Sequence, residues 1–109
     1  MKQYCLAVDL KDDARLIEEY EGYHRVIRPE IHASITGSGI TRMDIFRTGN
    51  RLFMIMETTD EFSFEEKEAA DKSDPKVQEW ENLMWGYQQP LPWANPGEKW
   101  VLMKQIFKL

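Results

Sequence analysis

Residues 40–58, ITRMDIFRTGNRLFMIMET, contain two segments of extended character on either side of Gly49-Asn50. The first segment covers residues 40–48, and the second is the apolar run 52–56. Glycine and asparagine both tolerate a positive φ, so this dipeptide favours a tight turn between antiparallel strands. The pattern therefore predicts a β-hairpin in the middle of the chain.

Alternating residues predict two further strands, one towards each end of the chain. Residues 2–10 alternate with period two, and so do residues 100–109. The last of these strands follows a proline-rich loop over residues 90–97, in which we expect Trp93 to find a packing partner. Together with the hairpin, these segments make four predicted strands.

A long helical pattern separates the first strand from the hairpin. After Asp12-Asp13, apolar residues spaced by three, four and seven predict a helix that ends at Gly37-Ser38-Gly39. Because Pro29 lies within the pattern, we expect a kink or a restarted turn near Arg28 rather than one straight helix.

Two helices predicted between the hairpin and the last strand complete the fold class. They cover residues 65–70 and, starting at Pro75, residues 75–87. The resulting order βαββαβ, with one short extra helix, is that of an α+β, ferredoxin-like fold. Its helices cover only one face of the antiparallel sheet.

The uncovered sheet face predicts an assembly. Strand residues are too apolar for both faces of the sheet to meet water, as illustrated by Tyr4, Met54, Met56 and Met103. A ligand or a second copy of the chain must therefore cover the face that the helices leave bare. The simpler expectation is a homodimer through the sheet face, which would form a dimeric α/β barrel.

Length, composition and charge narrow the class of protein. The chain has 109 residues, 42% hydrophobic and 30% charged, with a net charge of -5 at pH 7. We expect a single domain over residues 1–109, no membrane span and no nucleic-acid partner, because the basic residues are few and scattered. Cys5 is the only cysteine and the N-terminus lacks signal-peptide features, so the expected location is cytoplasmic.

Tyr20 and His24 form one candidate catalytic pair. They lie four residues apart, on the same face of the first predicted helix. An imidazole beside a phenol can perform acid-base chemistry near neutral pH, although both rings could equally belong to the buried stripe of the helix. His32 has no convincing partner ligands and is expected at the surface.

An aromatic group near the C-terminus is a second candidate site. Flat rings interleaved with amides and carboxylates suit a sugar, whose C–H face is apolar and whose hydroxyl rim needs hydrogen bonds. Core packing is the competing explanation for the rings that share the helix stripe. The group comprises Trp80, Trp85, Tyr87 and Trp93. The acidic run Glu65, Glu66 and Glu68 is expected to form a solvated helix face.

Several motifs together resemble the L-rhamnose mutarotase family along the whole chain. They are Glu18-Glu19-Tyr20 with His24, Arg28-Pro29-Glu30-Ile31, Asn50 with Leu52-Phe53, and Gln78-Glu79-Trp80. The stretches RTGNRLFMIMET at residues 47–58 and QQPLPW at residues 88–93 resemble the branch of this family linked with L-fucose breakdown.

The resemblance implies a cofactor-free, metal-free dimeric enzyme that interconverts the α and β anomers of 6-deoxy-L-sugars. It implies His24 as the proton donor and Tyr20 and Trp80 as substrate contacts. By this resemblance, the members of the family that act on L-rhamnose have a second tryptophan at the position of Glu81. They have a tyrosine at the position of Met43. These two substrate-binding positions favour L-fucose over L-rhamnose, and the general base stays open between Glu81, Asp44 and water.

Two other functions fit the same residues. A non-catalytic sugar-binding module would use the aromatic group without a proton donor. A haem-binding or monooxygenase-type dimeric α/β barrel would use His24 as an iron ligand.

Overall fold

A computed structural model describes all 109 residues as four helices and an antiparallel sheet. This confirms the predicted α+β class. In chain order the elements are β1 (Lys2–Leu10), α1 (Ala14–Arg25), α2 (Pro29–Gly37), β2 (Ile40–Thr48), β3 (Arg51–Thr58), α3 (Phe64–Lys72), α4 (Pro75–Trp85), β4 (Gln88–Gln89) and β5 (Val101–Leu102).

The central hairpin has the predicted turn. Gly49 adopts a φ of 55°, in the left-handed region that favours glycine. Asn50 has a negative φ, and its side-chain amide donates a 3.0 Å hydrogen bond to the carbonyl of Leu10. This bond fastens the turn to the end of β1.

The long helical segment is two helices, as the position of Pro29 predicts. Asp13 caps α1 by accepting a 3.1 Å hydrogen bond from the backbone N–H of Leu16. The helix stops at Arg25, and α2 starts with Pro29 in its first turn. Arg28 is extended because the α conformation is disfavoured before a proline.

Among the predicted elements, the fourth strand is the one that differs most from the observed structure. The sheet order is β2-β3-β1-β4, and β5 pairs with the same edge of β1. Instead of one strand over residues 100–109, two-residue strands lie at Gln88–Gln89 and Val101–Leu102, separated by the proline-rich segment. Leu102 pairs with Leu6, and in this antiparallel register residue 106 would lie opposite Lys2, where β1 begins. Residues beyond 106 would therefore have no partner strand.

One sheet face carries the core. Side chains at alternate positions of β1 and β3 point towards the helices and pack with Tyr20, Ile31, Val77, Trp80 and Met84. Tyr4, Met54 and Met56 also belong to this covered face, where they pack with Phe62. The apolar strand positions that motivated a second copy are therefore largely covered by the chain's own helices.

The opposite sheet face has its own apolar rows. Cross-strand partners point to the same face of a sheet, so Phe46, Phe53, Ala7 and Val101 form one row. Ile55 and Cys5 belong to the next row, in which Asp44 is the member on β2. Phe46 is 55% exposed.

None of the four helices combines the length and the apolar character that a membrane-crossing segment requires.

Candidate active site

A cavity of about 230 Å³ lies between the helices and the covered face of the sheet. Its walls come from α1, α2, α3, α4, β2, β3 and the short strand β4. The polar side chains that line it include Tyr20, His24, Lys67, Asp71, Glu81 and Gln88. The cavity therefore combines groups able to transfer protons with groups able to bind hydroxyls.

His24 is half-buried at the wall of this cavity, one helical turn after Tyr20. Its Nδ1 lies 2.8 Å from the backbone carbonyl oxygen of Tyr20. A carbonyl only accepts, so Nδ1 carries the hydrogen and the neutral ring has its lone pair on Nε2. Nε2 is therefore the atom that accepts a proton in the neutral ring and donates one in the imidazolium.

His24 also borders a more open groove of about 410 Å³ on the outer side of β2. His32 and Arg42 line that groove but not the smaller cavity. His32 is exposed, as predicted. The position of His24 between the groove and the cavity gives its ring a route to solvent.

Tyr20 is only 4% exposed, and it belongs both to the core and to the cavity wall. Its ring centroid lies 4.5 Å from that of His24. Burial raises the pKa of its phenol to about 12, while a hydrogen bond from Gln88 acts in the opposite direction. Because Gln88 donates to the phenol oxygen, the hydroxyl hydrogen of Tyr20 is free to donate into the cavity.

Trp80 also serves both the core and the cavity wall. It is 8% exposed, and its ring centroid lies 5.5 Å from that of His24. The guanidinium of Arg28 stacks over the indole at 5.3 Å from its centroid. The competing explanations for Trp80, core packing and site lining, are thus both compatible with its position.

The rest of the predicted aromatic group lies outside the cavity. Trp85, Tyr87 and Trp93 do not line it, whereas Trp100, which sequence reasoning treated only as part of a strand, does. Trp93 is 63% exposed and has the Arg51 guanidinium 5.0 Å from its ring centroid. The packing partner expected for Trp93 is therefore only the Arg51 side chain at the protein surface.

Glu81 and Met43 both line the cavity with His24. The Glu81 carboxylate accepts a 3.3 Å hydrogen bond from the side chain of Gln78. Asp44, in contrast, does not line the cavity. Successive side chains of a strand point to opposite faces, so Asp44 lies on the other side of the sheet from Met43, paired with Arg42 at 2.8 Å.

Sequence reasoning missed an ion pair in the cavity wall. On α3, the Nζ of Lys67 lies 2.9 Å and 3.2 Å from the two carboxylate oxygens of Asp71, and Ser34 donates to the same carboxylate at 3.0 Å. The i, i+4 spacing of Lys67 and Asp71 was the available signal. The acidic run of the same helix drew attention away from this spacing. Its members Glu65, Glu66 and Glu68 are exposed, as predicted.

Three or more histidine, cysteine, aspartate or glutamate side chains are nowhere grouped closely enough to hold a metal ion.

Comparison with known sequences gives a consistent set of relatives. A sequence model of the family described as L-rhamnose mutarotase matches residues 3–109. The chain is 44% identical over 111 residues to a protein named L-fucose mutarotase from Xanthomonas campestris pv. campestris, covering 100% of this chain and 89% of that protein. It is 36% identical over 112 residues to a UPF0734 protein from Dictyostelium discoideum, covering 99% and 90% of the two chains.

Two solved structures share the fold. The L-rhamnose mutarotase of Formosa agariphila superposes with a TM-score of 0.73 at 15% identity, covering 100% of this chain and 99% of that one. Tetracenomycin F2 cyclase of Streptomyces glaucescens superposes with a TM-score of 0.63 at 15% identity and the same coverage. At such low identity these two likenesses concern the fold alone.

Proposed function

The chain belongs to the L-rhamnose mutarotase family, and we propose that it interconverts the α and β anomers of L-fucose, with L-rhamnose as the next substrate. As a sugar mutarotase it is a carbohydrate isomerase. The observation that carries the proposal is the pairing of the His24 imidazole with the Tyr20 phenol in one small cavity. The 44% identity to a protein named L-fucose mutarotase supports the choice of sugar.

His24 is assigned as the proton donor of ring opening. The imidazolium donates its Nε2 proton to the ring oxygen, the anomeric hydroxyl loses its proton to a base, and the C1–O bond breaks to give the aldehyde. Rotation about the C1–C2 bond exposes the other face of the aldehyde. Ring closure then returns the first proton to Nε2 and the second to the new anomeric oxygen, so no net proton is consumed.

Glu81 is the strongest protein candidate for the base. Its carboxylate lines the same cavity as His24 and also the groove beside Lys67 and Asp71, so it accepts the anomeric proton through a water molecule. Tyr20 is assigned a binding role, because a phenol with a pKa near 12 stays protonated at neutral pH and donates to a sugar oxygen. No metal or cofactor takes part in this scheme.

Trp80 and Met43 are assigned to the apolar parts of the sugar. An indole complements the C–H face of a pyranose, and a thioether adapts to the shape of a methyl group such as that at C6. Glu81 supplies an acceptor for hydroxyls on the rim. This division of roles is what distinguishes a 6-deoxy-sugar site from a general apolar cavity.

A homodimer through the uncovered sheet face is part of the proposal. Phe46 is exposed there, and Phe53 and Ile55 on the same face are half-buried, so apolar surface remains for a second copy. Joining two such faces would give the dimeric α/β barrel. We also propose that residues 1–109 act as a single domain and that the protein is cytoplasmic, since its only cysteine has no disulfide partner.

The test is saturation-transfer proton NMR on the anomeric signals of L-fucose and L-rhamnose. Native protein is expected to speed α/β exchange, and His24→Ala to lower the rate by about 10²- to 10⁴-fold. His32→Ala is the matched control, because His32 lies outside the cavity and should leave the rate unchanged.

Three results would overturn parts of the proposal. Exchange no faster than in buffer for either sugar would remove the activity, and faster exchange of L-rhamnose would reverse the preference. Binding of L-fucose without exchange would identify a non-catalytic sugar-binding module instead.

A further inference from the structure

The ion pair between Lys67 and Asp71 differs from the other ion pair on the same helix. Their side chains are only 18% and 15% exposed, whereas those of Lys72 and Glu68 are 72% and 69% exposed. Both pairs have the same i, i+4 spacing on α3. The difference is that Lys67 and Asp71 line the small cavity that also contains His24.

The hydrogen bonds around this pair leave a donor available. Lys67 has three N–H donors, and both of its hydrogen bonds go to Asp71. Asp71 is held in turn by the hydroxyl of Ser34, and its backbone carbonyl accepts from Gln78. Asp71 therefore orients the ammonium of Lys67, which keeps at least one N–H without a partner in the chain.

Stability does not account for this arrangement. Removing two opposite charges from water carries a desolvation cost that offsets much of their attraction, so a partly buried pair adds little to folding compared with apolar packing. An ion pair that is held by two further side chains and lines a cavity is better explained by a ligand that uses it.

The pair lies at a different end of the cavity from His24. His24 and Tyr20 share a neighbouring groove with Leu52. Lys67 and Asp71 share another with Met56, four residues further along β3. The side chains of His24, Lys67 and Asp71 all line the one small cavity, so a sugar with C1 at His24 directs the opposite side of its ring towards Lys67.

We propose that Lys67 donates to the C4 hydroxyl of the sugar, that Asp71 accepts from its C3 hydroxyl, and that the pair thereby determines specificity. This inference rests on the proposed function, which sets C1 and the ring oxygen at His24. A hydroxyl both donates and accepts, and the pair offers an ammonium donor beside a carboxylate acceptor. The C3 hydroxyl is equatorial in both sugars, whereas the C4 hydroxyl is axial in L-fucose and equatorial in L-rhamnose, so an ammonium fixed in the direction of an axial C4 hydroxyl contacts it only in L-fucose.

The test uses 1,5-anhydro-L-fucitol, which lacks the anomeric hydroxyl and cannot mutarotate, together with its 4-deoxy derivative. Binding is measured by proton NMR titration of native protein, Lys67→Met and Asp71→Asn. Each variant is expected to bind the parent compound about tenfold or more weakly than native protein. Native protein is expected to bind the 4-deoxy compound about as weakly, with no further loss on Lys67→Met.

Lys72→Met is the matched control and should bind both compounds as native protein does, since that ion pair is exposed. Equal loss of affinity for both compounds on Lys67→Met would overturn the proposal, because the pair would then be structural. Native protein that binds the two compounds equally well would also overturn it, even if a variant failed to fold.

The two proposals fail separately. If native protein exchanges the anomers of L-fucose but binds the anhydro compound and its 4-deoxy derivative equally well, only the Lys67–Asp71 assignment is wrong. If it discriminates the two anhydro compounds as expected but exchanges no anomers, the recognition site stands and the mutarotase chemistry does not.

Discussion

The side-chain amide of Gln88 donates a 3.1 Å hydrogen bond to the phenol oxygen of Tyr20, and this contact joins β4 to α1 inside the core. Both side chains are buried. We expect Gln88→Leu to lower the free energy of unfolding by about 1–2 kcal/mol, because Tyr20 loses a buried partner. A double-mutant cycle with Tyr20→Phe measures the coupling. Fully additive effects would show that the bond does not stabilise the fold.

The pKa of Tyr20 predicts a loss of stability at alkaline pH. Burial raises this pKa from 10.0 to about 12, so between these values the unfolded chain has lost a proton that the native state keeps. The contribution is fully present below pH 10 and decreases as the pH rises to 12, by roughly 2–3 kcal/mol. Urea titrations of native protein and Tyr20→Phe at pH 8, 10 and 11 isolate it. Parallel pH dependences would contradict the prediction.

Two glycines at the end of α2 should respond in opposite directions to alanine. Gly39 has a φ of 100°, and a Cβ there would lie 2.9 Å from the hydroxyl oxygen of Thr59. We expect Gly39→Ala to destabilise the protein by about 1–2 kcal/mol. Gly37→Ala, with nothing within 4 Å and a helical position, should be neutral or stabilise by about 0.5–1 kcal/mol. Thermal unfolding of the two variants gives the comparison.

Removing the charge of Glu81 tests its assignment as the base. Glu81→Gln keeps the size of the side chain but removes its basicity, so the exchange rate of L-fucose should decrease by about 10²-fold or more. Glu79→Gln is the control, since Glu79 is 62% exposed and pairs with Arg28. An unchanged rate in Glu81→Gln would assign the base role to water.

The homodimer proposed through the uncovered sheet face predicts the molecular mass of two chains in solution. Two chains of 12.9 kDa give 2 × 12.9 = 25.8 kDa by light scattering. Ile55→Asp places a charge within the apolar rows of that face and should shift the mass to that of one chain. Val26→Asp, at an exposed residue between α1 and α2, should stay dimeric. A native mass near 12.9 kDa would exclude the barrel.

Local rules were sufficient for the parts of the fold that depend on neighbouring residues. The turn at Gly49, the break before Pro29 and the helix start at Pro75 each follow from backbone preferences of single residues. Tyr20 and His24 meet because helix geometry brings residues four apart together. These features needed no knowledge of the rest of the chain.

Features that depend on distant residues were not predictable in the same way. Alternation in residues 100–109 resembles a strand, but it does not say how far β1 extends alongside it. Likewise, period two separates Met43 from Asp44 without showing which of them the helices cover. The Lys67–Asp71 pair is a candidate site because α3 packs over the cavity, and the sequence does not show that packing.

The central position of β1 also constrains how the protein is made. β1 leaves the ribosome before every strand that it pairs with, because its partners lie at residues 51–58, 88–89 and 101–102. The β2–β3 hairpin can form from local contacts, whereas β1 must wait for it, and the other edge of β1 is fully paired only after residues 101–102 have been added. The nascent chain therefore exposes this apolar strand while about a hundred further residues are added, and the sheet is completed only after that.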